Sequence, residues 1–196
     1  MNYLYKKAFN INGNDTLLSP LDCEYINNRT LYITGEITDE LATIVNSSLR
    51  TLARESDDED IIIYIQSPGG SVSAGLSIFD TIKSLNCDVC TVGTGLVASM
   101  GAFLLAAGTR GKRFGTGFCE ILIHQPIGSA HGQASDVINA AKHIQRTRNT
   151  LNGLLAQNTG KSIEQIANDT DRDYIMSADE ALTYGIIDHI GDPFSK

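Results

Sequence analysis

The run Ile61-Ile62-Ile63-Tyr64-Ile65 constrains this chain most, because five successive apolar residues have no polar face to give to water. A strand of that kind must be covered on both sides, which a helix-flanked parallel sheet provides and an open antiparallel sheet does not. The acidic connector Ser56 to Asp60 precedes it, and Ser67-Pro68-Gly69-Gly70 forces a turn after it. Thr30-Leu31-Tyr32-Ile33-Thr34, ended by Gly35, and Val89 to Val97 read as further strands. Between them Leu41, Ile44, Val45, Leu49 and Leu52 recur at helical spacing behind Asp39 and Glu40, and Val72, Gly75, Leu76, Phe79, Ile82 and Leu85 form a second stripe. This rhythm predicts the α/β class, with parallel strands joined by right-handed crossovers.

At 196 residues the chain has the length of a single domain, 1–196, with one substantial core. A net charge of -8 argues against a nucleic-acid surface, which needs a basic patch. No apolar run approaches a membrane span, and Met1 to Lys7 is followed by no secretory h-region, so the expected place is the cytoplasm, off the membrane. Cys23, Cys87, Cys90 and Cys119 are too scattered for a disulfide framework. Cys87-Asp88-Val89-Cys90 lacks a second ligand pair, so buried free thiols are expected, with no metal and no cofactor.

Met1 to Asn28 has no sustained period and reads as loop with one short strand. Lys112-Arg113-Phe114 reads as an edge strand, Ile121-Leu122-Ile123 as another strand and Ile127 to Gly132 as an extended stretch. Ala134 to Gln157 then carries Val137, Ala141, Ile144, Leu151 and Leu155 on one stripe. A helix of ~24 residues runs roughly 36 Å, so it is expected to project and pair with another subunit. Ser162-Ile163-Glu164-Gln165 and Ser177-Ala178-Asp179-Glu180 are capping boxes for two short helices, the second closed by Gly185, and Ile186 to Ile190 is a last strand.

Ser99 stands where the strand Val89 to Val97 gives way to a run of helical composition, flanked by small residues. A serine there serves more often as a helix N-cap than as a nucleophile beside free backbone N–H groups. His124 ends an apolar strand, and Asp169, Asp171 and Asp173 precede a helix start, which supplies the three functions acyl transfer needs. Ser67 and Ser71 flank a glycine turn with weaker helix-start geometry, while His131, His143 and His189 have no partners in ligand spacing and read as structural or surface residues. Gly70 and Met100 both follow carboxyl ends of strands, so their N–H groups are candidates to face one oxyanion.

Ser67-Pro68-Gly69-Gly70-Ser71-Val72, Ala98-Ser99-Met100-Gly101-Ala102-Phe103-Leu104-Leu105, Gly111-Lys112-Arg113-Phe114, Ile123-His124-Gln125-Pro126, Gly132-Gln133-Ala134 and Thr170-Asp171-Arg172-Asp173 resemble, in order, the signature blocks of the ClpP family, the proteolytic subunits of ATP-dependent Clp proteases. The resemblance implies a crotonase-like fold of repeated ββα units with a projecting handle over 127–158, and a divergent N-terminal segment over 1–28. It implies a serine endopeptidase with Ser99 as nucleophile, His124 as base, Asp173 orienting the base, and the Gly70 and Met100 amides holding the oxyanion. Asp171 and Arg172 match a pair that links active-site order to ring stacking, and Tyr64 and Phe114 match positions that dock an AAA+ unfoldase ATPase. Two stacked homo-heptameric rings cleaving unfolded proteins or peptides are the implied assembly.

This chain departs from the family at Ser19 to Tyr25, at the turn Gly115 to Glu120, which is expected to be loose, and at Ser84 and Thr94, where larger apolar groups are usual. A specialised or viral processing protease of the same fold, a crotonase-type enzyme acting on acyl thioesters, and a non-catalytic ring subunit are the rival readings.

Overall fold

The computed structural model describes residues 7–11, 14–18 and 28–194. Strands β1 (Lys7–Ile11) and β2 (Asn14–Leu18) pair antiparallel as a hairpin, so the expectation of one short strand in the N-terminal segment is corrected to two. Alternation in the sequence is weak there because Asn10, Asn12, Asn14 and Asp15 break it, and the pairing runs from Lys7↔Leu18 to Ile11↔Asn14. The divergent stretch Ser19 to Tyr25, and with it Cys23, lies outside the described residues.

The main sheet has seven strands. They are β3 (Thr30–Thr34), β4 (Ile61–Ser67), β5 (Val89–Ala98), β6 (Arg113–Gly115), β7 (Glu120–Ile123), β8 (Tyr174–Met176) and β9 (His189–Ile190). Five of them run side by side in the order β3-β4-β5-β6-β9, all parallel, while β7 pairs parallel with β5 and antiparallel with β8. This is a mixed α/β architecture around a largely parallel sheet. In β4 the side chains of Ile61, Ile63 and Ile65 enter the large core beneath the helices, while Ile62 joins Cys90, Val92, Tyr64 and Phe114 on the other face. The unbroken apolar run is thus used up on two faces, as its composition required.

Six helices occur among the described residues: α1 (Asp39–Glu55), α2 (Val72–Ser84), α3 (Met100–Ala106), α4 (Ala134–Thr159), α5 (Ile163–Asp169) and α6 (Ala178–Tyr184). Thr38 caps α1, Ser71 caps α2 and Ser162 caps α5 by accepting one N–H each, whereas Ser177 and Glu180 form a complete capping box on α6. None of the described helices is long and apolar enough to cross a membrane.

Three expectations change. Lys112-Arg113-Phe114 is not at an edge, because β9 adds outside β6. The reason is electrostatic: Arg113 is buried, and Asp188, just before β9, meets it through Nη2–Oδ1 at 2.6 Å and Nε–Oδ2 at 2.8 Å. A buried guanidinium needs such a partner, and the partner brings the last strand with it. The stripe of α4 is also not wholly unpartnered. Leu151, Leu154 and Leu155 pack on the subunit's own core, while Val137, Ile138 and Ala141, in its first half, are left exposed with Ile127. The turn between β6 and β7 is closed rather than loose, since the Cys119 N–H donates to the Thr116 carbonyl at 2.8 Å.

Cys87, Cys90 and Cys119 are buried free thiols. Burial pushes the thiols of Cys90 and Cys119 up to about 11, which removes both as nucleophiles near neutral pH.

Candidate active site

The site begins with a register break. From Ile61↔Val89 to Ile65↔Gly93 the strands β4 and β5 run in step, but the next pair is Ser67↔Val97, so β5 spends extra residues at Thr94 to Leu96. Gly95 takes φ +57 in that bulge, a conformation a side chain would resist. Upstream of it β5 pairs with β6, and downstream, through Leu96, Val97 and Ala98, it pairs with β7. One strand thereby forks the sheet and brings its own end beside the end of β7.

Ser99 sits at that end with φ 54 and ψ -121. A non-glycine residue held there carries backbone strain, and such strain persists only where the surroundings over-determine it. The Ser99 N–H donates to the Leu122 carbonyl of β7 at 2.8 Å, and its own carbonyl accepts the Phe103 N–H of α3 at 3.1 Å. Its hydroxyl makes no capping bond, which disposes of the reading of Ser99 as an ordinary N-cap. The competing serines are already engaged. Ser67 Oγ donates to the Gly35 carbonyl at 2.6 Å and accepts the Gly69 N–H, while Ser71 caps α2.

Antiparallel pairing supplies the next contact. In the β7–β8 ladder Ile121, Leu122 and Ile123 oppose Met176, Ile175 and Tyr174, so one step further His124 faces Asp173. His124 Nδ1 lies 3.3 Å from Asp173 Oδ1. With Nδ1 turned to the carboxylate, Nε2 is the ring atom left for proton transfer. Ser99 and His124 line a single cavity of about 40 Å³, closed by Val72, Met100, Phe103, Ile123 and Leu155. It opens beside a groove of about 600 Å³ that runs past Pro126, Ile127 and Gly128 to Asp173.

The turn after β4 borders this site. Ile37 bridges the extended segment at Gly70 by donating its N–H to the Gly69 carbonyl and accepting the Ser71 N–H. Backbone groups alternate along such a segment, so the Gly70 N–H faces away from Ile37. Met100 is the first residue of α3, and its N–H is one of the donors that a helix start leaves without an intrahelical acceptor. Met100 adjoins Ser99 in the chain, and Gly70 adjoins Gly69, where an added Cβ would lie 2.6 Å from Ser99 Cβ.

Among the residues expected from sequence, the structure brings Ser99, His124 and Asp173 together. Asp171 borders the groove and accepts from Arg148 Nη2 at 3.3 Å, and Arg172 forms no ion pair among the described residues. Tyr64 and Phe114 lie apart, on the face of the sheet away from the helices. There Tyr64 stacks on Tyr32 at 5.3 Å and donates its hydroxyl to Asp192 at 3.0 Å. Burial first, and that hydrogen bond second, hold the Tyr64 hydroxyl well above its ordinary range.

Sequence reasoning passed over Gly69. A Cβ built there would lie 2.6 Å from Ser99 Cβ, so the absence of a side chain is what lets the turn and the serine approach. The signal was the second breaker residue in Pro68-Gly69-Gly70, since one glycine suffices for a turn. Gln125 ties the His124 segment, and Arg148 the long helix α4, to the residues before Asp173; Gln125 was legible only as part of a signature block and Arg148 had no signal in a linear reading.

A sequence model of the Clp protease family matches residues 21–193 of this chain.

Proposed function

The chain belongs to the Clp protease family, and from that premise we propose that it is a serine endopeptidase whose nucleophile is Ser99. Its family is one of peptidases that generally form oligomers and work with Clp ATPases. The observation that carries the reading is the pairing of a strained Ser99, its hydroxyl uncommitted to capping, with a His124 that shares its cavity and lies 3.3 Å from Asp173. Backbone strain of this kind has no structural use at a helix start, where an ordinary cap would be cheaper.

In this mechanism Ser99 Oγ bonds to the peptide carbonyl carbon as its proton passes to His124 Nε2, and the carbonyl π electrons move onto oxygen. The Gly70 and Met100 N–H groups stabilise that oxyanion. Its collapse breaks the C–N bond while His124 returns the proton to the leaving amine. Water then repeats the sequence on the ester, giving a carboxylic acid and restoring Ser99. Asp173 keeps His124 in the tautomer that leaves Nε2 free and balances the imidazolium.

The substrates in this reading are unfolded proteins and peptides, cleaved inside a cytoplasmic chamber of two stacked heptamers. Asp171 and Arg172 contribute across the ring junction, and an AAA+ unfoldase docks at the aromatic positions Tyr64 and Phe114. The single domain 1–196 carries a handle over 127–158, and the exposure of Ile127, Val137 and Ile138 supports the view that another subunit covers it. The test is fluorophosphonate labelling together with cleavage of a fluorogenic peptide. Ser99→Ala should abolish the first and lower kcat by several powers of ten. A Ser99→Ala protein that labels at the wild-type rate would show that another residue is the nucleophile.

A further inference from the structure

We propose that Arg148 of α4 is a positioning residue for the reaction, setting the distance between Asp173 and His124 from outside the site. The proposal rests on the serine-peptidase reading and concerns the support of its carboxylate. The Asp173 side chain is 67% exposed, so packing does not hold it. The β7–β8 ladder ends at Ile123 and Tyr174, one step short of the His124–Asp173 contact. Whatever fixes that contact must therefore fix the backbone from Thr170 to Asp173.

Two residues do so. Gln125, next to His124, donates its N–H to the Thr170 carbonyl at 2.6 Å and its Nε2 to the Asp171 carbonyl at 2.8 Å. Arg148 reaches the same segment from the other side, where Nη2 donates to the Ala167 carbonyl at 3.2 Å and to Asp171 Oδ1 at 3.3 Å. Arg148 thus staples the end of α5 and the residues leading to Asp173 onto α4.

The form of the contact speaks for positioning over simple ion pairing. A guanidinium pairs best with a carboxylate through two parallel N–H groups. Here a single Nη2 is shared between a carbonyl and a carboxylate, while the buried Nε–H of Arg148 has no partner among the described residues. The arginine gives up its own best pairing in order to span two segments. Seen as a half-exposed surface ion pair it would contribute almost nothing, and its removal would be silent. As a positioning residue it transmits any movement of α4 to Asp173.

The experiment measures kcat and KM of the full-length protein on a fluorogenic peptide for Arg148→Gln and Arg148→Lys, each in the wild-type and Asp173→Asn backgrounds, with mass followed by light scattering. Displacing Asp173 by a fraction of an ångström should lower kcat about tenfold in Arg148→Gln, with KM within about twofold. Arg148→Lys, which still reaches Asp171, should recover most of that loss. In Asp173→Asn, assayed over hours for its residual activity, Arg148→Gln should change kcat less than about twofold, because the group it positions is gone. A tenfold loss that persists in Asp173→Asn overturns the proposal, and so does a loss accompanied by a change in mass, which would place Arg148 in assembly. If the wild type cleaves no peptide, or if Asp173→Asn keeps full activity, the peptidase reading or its carboxylate fails instead.

Discussion

Gly69→Ala is the most searching perturbation of the site, because it touches the nucleophile's backbone without altering any reacting group. The new Cβ would stand 2.6 Å from Ser99 Cβ, 3.0 Å from the Ala98 carbonyl oxygen and 3.1 Å from Ser99 Oγ. Carbon atoms in ordinary contact sit about 3.5–4.0 Å apart, so one side must retreat by about 1 Å. Neither is free to do so. Ser99 is held at both ends by Leu122 and Phe103, and Gly69 donates to Ser67 Oγ at 3.0 Å and accepts from Ile37 at 2.8 Å. The clash should cost about 1–3 kcal/mol, and a side chain at φ +99 about 1 more. A total of roughly 2–4 kcal/mol corresponds to a fall in Tm of about 5–15 °C for a chain of this size. If Ser99 yields, an ångström of displacement should lower kcat and the fluorophosphonate labelling rate about a hundredfold. Gly117→Ala is the control, since nothing lies within 4 Å of its added Cβ. A Gly69→Ala protein with unchanged Tm and kcat would refute the reasoning.

Replacing Ser99 by glycine should give a protein more stable than Ser99→Ala by about 1 kcal/mol, because only glycine accepts φ 54 without strain; equal melting temperatures would contradict this. Leu104→Ala and Leu49→Ala both open a fully buried site and should each lose about 2–5 kcal/mol in urea unfolding, but only the first, on the helix that begins just after Ser99, should also lower kcat. Burial alone would raise the Asp188 carboxyl, but the hydrogen bonds and charge of Arg113, with the Gly111 and Arg113 amides, outweigh it and hold it below its ordinary value. Its contribution is therefore present above about pH 4 and lost as pH falls through the depressed native value, so Asp188→Asn should flatten that acid limb in urea midpoints measured against pH. Ile138→Glu, at an exposed position of α4, should halve the particle mass seen by light scattering if two rings meet there, whereas Ile144 is half-buried within the subunit and is a poorer probe.

The parts of this protein that a linear reading reaches are those in which one residue's chemistry decides the outcome alone. Four isoleucines around Tyr64 leave no polar face, so β4 and its two covers were legible. Ser99, His124 and Asp173 were legible as residue types at element ends, but their meeting was not. It depends on the register of β7 on β8 and on the bulge at Gly95, and both are properties of pairs of strands. The same holds for β9. A last strand over Ile186 to Ile190 was legible, but its place outside β6 was not, and the cause is a carboxylate at Asp188 answering a buried guanidinium 75 residues earlier. Arg148 is the extreme case, since its partners belong to α5 and the segment after it, and a lone arginine on a polar helix face looks like any other.

The strain at Ser99 is sustained by the burial of α3. Holding a residue at φ 54 costs on the order of 1–3 kcal/mol, and a free helix start would relax into an ordinary cap. But α3 cannot shift to allow that, because all seven of its residues are buried, among them Met100, Phe103, Leu104 and Leu105. Each large side chain contributes about 1.5–3 kcal/mol by leaving water, several times the strain in sum. Phe103 is further fixed against Phe79 of α2 at 5.1 Å, and Gly101 lets α3 approach the Ser67 turn to a distance at which an added Cβ would be 3.2 Å from the Ser67 carbonyl oxygen. The short apolar helix therefore does more than fill the core: its burial energy is what keeps the serine in a conformation that it would not adopt by itself.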